Sequence, residues 1–229
     1  MAALVLAAAL LPARCIATPS AHIPPRVWVP ACPLYETITF SSSVPPKTYA
    51  VPSTEVRLCY GQEHLHANMT AHGEEHFYYN ETHKTNDDLW EYEVLEIFMS
   101  RGWTDPTAYL EFQVSPANVT YRAMVVNPSK RRQPGAAFDH WFADSPMQDG
   151  FFATTQLDRK AKTWQSNVRI PLVLFNIDGR AAKETAWRMN FFRTIVGPDT
   201  FPQQQLAAWS PPNETNFHIT EYFGRVIFT

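Results

Sequence analysis

The chain has 229 residues, 45% of them hydrophobic and 14% aromatic, which is enough to bury one sizeable core. With 19 basic and 22 acidic residues the formal charge is −3, so no basic face for nucleic acid is implied. There is no long run of like charges, and no segment after the N-terminus approaches the length of a membrane span.

The first 17 residues, MAALVLAAALLPARCIA, read as a secretory signal. The apolar stretch 2–11 is too short to cross a bilayer, and Cys15 and Ala17 place small residues before a cleavage point. Loss of Cys15 would leave Cys32 and Cys59, an even pair suited to an oxidising compartment; the alternative is two free buried thiols. A bridge between them would contribute roughly 3–4 kcal/mol on the chain-entropy account. Four glycosylation sequons begin at Asn68, Asn80, Asn118 and Asn213, whereas Asn127 is followed by proline. A secreted, extracellular glycoprotein is expected.

Residues 18–53 are rich in Pro, Ser and Thr and read as an extended lead-in to a domain over 54–229. From Thr54 the pattern is that of short strands. TEVRLCY alternates Val56, Leu58 and Tyr60 with polar neighbours, and HLHANMTA does the same with Leu65, Ala67 and Met69. AYLEFQVS sets Leu110, Phe112 and Val114 against Tyr109, Glu111 and Gln113. VTYRAMVV follows, then a stretch read as irregular over 127–153, where Lys130, Arg131 and Arg132 look like a solvated loop. TWQSNVRIPL, WRMNFFRTIV and YFGRVIFT complete the set. No amphipathic helix longer than ten residues is evident. The expected class is all-β, a β-sandwich of jelly-roll type.

Enzyme motifs are absent: there is no nucleophile elbow, no His-Glu-x-x-His and no phosphate-binding glycine loop. A glycosidase needs two opposed carboxyls, for which Asp88, Glu96 and Glu111 are candidates by type. His64 and His66 share a strand face and could clip a metal, but an exposed polar face is the simpler reading. Asp87, Asp88, Asp105, Asp139, Asp144 and Asp149 could offer oxygens to calcium, although not at EF-hand spacing. A haem-binding sandwich would need axial His and Met, for which His66, His76, Met69 and Met124 exist without a telling context.

NDDLWEYEVLEIFM is the most informative stretch. It enters a strand apolar on both faces, yet Glu96 stands within it and Trp90 on the turn before it. That pairing fits sugar recognition, in which a flat ring stacks on C–H faces and planar polar groups bind hydroxyls. It equally fits a core plug and a buried ion pair.

Taken in order, NDDLWEYEVLEIFM, YLEFQVSP, WQSNVRIPL, WRMNFFRT and AWSPPNETNFHITEYFGRVIF resemble family 9 carbohydrate-binding modules over about residues 54–229. The resemblance implies a β-sandwich in which two aromatic rings clamp a terminal sugar. Trp90 then matches the first clamp and Glu96 the hydroxyl-binding carboxylate, while Gln113 stands where an Arg is expected. Phe217 matches the second clamp, with Trp209 the other candidate, and Asn216 lies near the family's Asn. The implied function is a secreted, non-catalytic polysaccharide- or oligosaccharide-binding module with a link to carbohydrate catabolism. Its implied partner is a carbohydrate; no nucleic acid and no cofactor is expected, the loop acids named above being the candidates should calcium bind. The alternatives are a hydrolase of O-glycosyl bonds, a haem-binding cytochrome-type sandwich and an extracellular interaction protein without a sugar site.

Overall fold

The computed structural model describes residues 22–143, 150–177 and 181–229. The expected signal over 1–17, Cys15, Asp144 and Asp149 lie outside the described residues.

In chain order the strands are β1 (Arg26–Val29), β2 (Glu36–Phe40), β3 (Ser42–Ser43), β4 (Thr54–Tyr60), β5 (His64–His72), β6 (Val94–Arg101) and β7 (Ala108–Val114). They continue with β8 (Thr120–Val126), β9 (Asp139–Phe142), β10 (Phe152–Asp158), β11 (Thr163–Pro171), β12 (Ala186–Ile195), β13 (Gln205–Ala208) and β14 (Gly224–Phe228). The large sheet runs β1-β14-β12-β6-β7-β8-β9, and β13 and β3 extend it beside the second half of β12. The small sheet runs β10-β11-β5-β4-β2. The two form a β-sandwich. Helical structure among the described residues is confined to 3-10 turns at Leu89–Glu91, Leu172–Phe175 and Thr220–Tyr222.

Side-chain alternation decides which face each strand buries. On β5, Leu65, Ala67, Met69 and Ala71 enter the core while the residues between them face outward. Strand β6 is buried on both faces from Val94 to Met99. Leu95, Ile97 and Met99 pack between the sheets with Phe112, Trp187 and Phe191. Phe98 instead joins Tyr109, Phe192 and Phe223 in a second apolar cluster on the outer face of the large sheet. Loops cover that outer face, which is why the sheet reads as apolar on both sides.

The lead-in expected over 18–53 is not separate from the sandwich. Strand β1 pairs parallel with β14, and β2 edges the small sheet. Val29, Ile38 and Phe40 are buried, but they are too few among the prolines and serines to register in composition. The stretch read as irregular over 127–153 likewise contains β9 and the start of β10. Cys32 and Cys59 form a disulfide with Cα atoms 5.1 Å apart, beside a backbone bridge from Ala31 to Tyr60.

The basic cluster does more than face solvent. Lys130 pairs with Asp105 at 3.4 Å, and Arg131 reaches Glu214 and Glu221 at 3.3 and 3.5 Å. Arg132 lies over the Phe138 ring at 4.3 Å. These contacts tie the 127–138 loop to the 214–221 segment, and together the two form one wall of the site described next.

Candidate functional site

The outer face of the large sheet carries a cleft of about 480 Å³. Its floor follows from strand register. Phe192 on β12 opposes Glu96 on β6, Glu96 opposes Gln113 on β7, and Gln113 opposes Tyr121 on β8. All four point to the same face, with Glu111 two residues from Gln113 and Thr194 two from Phe192.

Trp90 forms a wall of this cleft. Asn86, at φ 71°, turns the chain after the 81–85 loop, and its Oδ1 accepts from the Arg122 backbone N–H at 2.9 Å. The short 3-10 turn then buries Leu89 and leaves Trp90 52% exposed. The core plug at this corner is therefore Leu89. The Gln204 Nε2 donates to the Trp90 carbonyl at 2.7 Å and holds the turn against the strand β13 side.

Across the cleft, Phe217 stacks on Phe192 with ring centroids 4.1 Å apart and planes 19° apart. The loop carrying it is fixed by Asn216, whose Nδ2 donates to the Arg131 carbonyl and whose Oδ1 accepts from the His218 N–H. Asn216 lines the cleft, but both ends of its amide serve the loop. His218 lies beneath the mouth, its Nδ1 2.6 Å from the Tyr109 hydroxyl and its Nε2 2.9 Å from Arg132 Nη1. Arg132 can only donate, so Nε2 accepts and the imidazole is neutral. Burial, with Arg132 adjacent, pushes its pKa down to about 3.

At the floor, Gln113 Nε2 donates to Glu96 Oε2 at 3.2 Å and to Glu111 Oε1 at 2.7 Å. Burial, reinforced by the nearby Glu111 charge, holds the Glu96 carboxyl well above its usual range; bonds from Gln113 and Thr194 oppose the shift. Burial also lifts Glu111 to about 7. Gln113 Oε1 is buried and has no partner among the described residues.

The structure thus brings Trp90, Glu96, Gln113, Asn216 and Phe217 to one cleft. Trp209 does not join them. Its ring packs against Phe191 and beneath Gly224, where an added Cβ would sit 2.2 Å from its Cζ3. Tyr121, Arg132, Phe138, His140 and His218 also line the cleft and had no signal in the sequence beyond the alternation that places Tyr121. Gln113 stands where an Arg was expected, and the guanidinium at the cleft comes from the Arg132 loop instead.

The other candidates are scattered. The His64 and His66 rings stand 6.3 Å apart with planes at 74°, and His64 Nε2 is buried without a partner among the described residues. His66 faces outward on β5 and Met69 inward, so they cannot share one iron. Asp87 accepts from the Lys84 N–H, Asp105 pairs with Lys130, and Asp139 accepts from the His140 N–H. Among the described residues no group of three or more His, Cys, Asp or Glu is arranged to hold a metal. Of the sequons, Asn68 faces outward in mid-strand and bonds to Asn167, Asn80 and Asn118 accept from hydroxyl groups in turns, and Asn213 is exposed two residues before the cleft-lining Thr215.

No family profile matches the chain. A protein of Arthroderma benhamiae described as extracellular is 47% identical over 204 residues, covering 89% of this chain and 90% of its own. A proposed carbohydrate-binding protein from Bacteroides uniformis superposes with a TM-score of 0.62 at 16% identity, over 90% of this chain and 99% of that one. A family 9 carbohydrate-binding module from Caldicellulosiruptor kristjanssonii in complex with cellotriose gives 0.56 at 12% identity, over 89% and 93%. The same organism's family 9 module in complex with glucose gives 0.55 at 12%, over 89% and 95%. At these identities the solved structures establish the shared sandwich fold.

Proposed function

We propose that this chain, which belongs to the same family as the Arthroderma benhamiae extracellular protein, is itself an extracellular carbohydrate-binding protein that holds its ligand in the cleft on the large sheet. The observation carrying this reading is the convergence of two aromatic walls, Trp90 and Phe217, over a floor of buried planar polar groups, Glu96, Glu111 and Gln113. Stacked rings bind the C–H faces of a pyranose, and carboxyl and amide groups bind its hydroxyls. Arg132 at the mouth adds donors of fixed geometry. The sugar-bound neighbours support the same reading. An open cleft of this kind binds on the order of micromolar to millimolar.

The test is retention of the deglycosylated protein on insoluble cellulose, xylan, chitin and β-glucan, with Trp90→Ala alongside. Retention of the wild type and loss in the folded variant supports sugar binding. No retention of either protein on any polymer removes it, and equal retention of both moves the ligand away from this cleft. The adjacent Glu96 and Glu111 carboxyls are the one feature that favours a hydrolase, and release of reducing ends from the retained polymer would establish that alternative.

A further inference from the structure

Buried carboxyls are held in a fold by cations or by several donors. The cleft floor has few of either. Glu96 and Glu111 share one amide donor, Gln113 Nε2, and Glu96 has a further bond from Thr194. Among the described residues no lysine or arginine forms a salt bridge with either carboxyl. A third acceptor, Gln113 Oε1, is unpartnered although Gln113 is only 1% exposed.

Once the floor carboxyls ionise, the other charged groups at the cleft leave the balance acidic. Asp88 adds a carboxyl from the Trp90 turn. Among the described lining residues Arg132 is the one guanidinium; its charge opposes the rise that burial imposes on Glu111, but it is bonded to His218 and stacked on Phe138 and makes no salt bridge with the carboxyl. His218 is neutral, and His140 comes from the edge strand β9.

We infer that the cleft selects a sugar bearing an ammonium group, a 2-amino-2-deoxyhexose of the kind found in deacetylated chitin, over neutral sugars. This rests on the carbohydrate reading of the cleft. An ammonium carries three donors and no acceptor, matching a floor of two carboxyls and one amide oxygen. It also brings a positive charge into contact with the carboxyls, which Arg132 does not, and it gains further attraction from the Trp90 ring. A hydroxyl at the same position brings no charge, and an acetamide brings an acceptor and bulk. An arriving cation favours the ionised carboxyls, so binding releases a proton to the solvent.

The experiment is isothermal titration of the whole secreted protein with β-1,4-linked tetramers of glucosamine, N-acetylglucosamine and glucose. It is run at pH about 6, below the roughly 7–8 at which such an amine titrates, in two buffers of different ionisation enthalpy. The expected result is at least about tenfold tighter binding of the glucosamine tetramer, with release of about one proton. Glu111→Gln, which keeps an oxygen to accept from Gln113, should erase that preference, with its thermal unfolding measured in parallel. Neutral tetramers binding as tightly, or no proton release, overturns this inference and leaves sugar binding intact. Failure of all three tetramers, together with no retention of the protein on any polymer, overturns both readings.

Discussion

Two groups of buried acids occupy this sandwich, and they are built differently. At the end of the inter-sheet core, Arg193 and Glu74 form a fully buried ion pair at 2.9 Å. The same guanidinium donates to the carbonyls of His72 and Ser53. Burial alone would raise the Glu74 carboxyl, but Arg193 and the N–H groups of His76 and Phe77 hold it below the usual range. Glu93 beside it is lifted to about 9 by burial and by the Glu74 charge. Its Oε1 has no partner as a carboxylate and gains one as an O–H directed at Glu74. In the cleft, Glu96 and Glu111 have an amide between them and, among the described residues, no cation in salt-bridge contact. The first group fastens the loop after β5 to strand β12. The second has a surface cleft above it where a partner can enter. Buried charge that is compensated internally belongs to the fold, and buried acid left uncompensated beside a cleft is a candidate for binding.

The largest way to break this comparison is Arg193→Met. It strands the Glu74 charge in the core and should cost about 3–5 kcal/mol, lowering Tm by roughly 6–20 °C. A loss no larger than that of a surface substitution would remove the distinction. Glu111→Gln sharpens the other side. Because folding raises this carboxyl from 4.5 to about 7, its protonated form is the one the fold favours. Its contribution is complete below pH about 4.5 and is lost as the pH rises through about 7. Against wild type, the variant should therefore gain relative stability across that window, by at most about 3 kcal/mol. Urea titrations at several pH values measure it, and parallel curves would contradict the assignment. Glu93→Gln should show the same sign over a window reaching about 9. Trp90→Ala should weaken ligand retention about tenfold or more, near 1.4 kcal/mol. Being half exposed, it should change unfolding free energy by no more than about 0.5 kcal/mol.

The sequence made much of this legible because strands broadcast a period of two. β4, β5, β7 and β11 could be placed from alternating residues, and Glu111 and Gln113 could be assigned to one face. Strands β1, β2 and β9 were hidden because they are four or five residues long, at or near sheet edges, with few buried side chains. The meeting of Trp90 with Glu96 needed only the turn before β6. Arg132 and His218 are in contact across 86 residues of chain, and no local pattern links two loops at that distance. Trp209 stood beside Phe217 as a candidate for the second clamp by residue type. The close approach of Gly224 to its ring, a tertiary contact, is what makes it part of the packing.

The most direct test of the cleft as a sugar site uses the protein's own tryptophans. Trp28, Trp90 and Trp103 are 54%, 52% and 54% exposed, so they should oxidise comparably in hydroxyl-radical footprinting read by mass spectrometry. With the retained polysaccharide bound, Trp90 should be protected while Trp28 and Trp103 react as before. Protection at either of those two, with Trp90 unchanged, would place the ligand elsewhere and contradict the account.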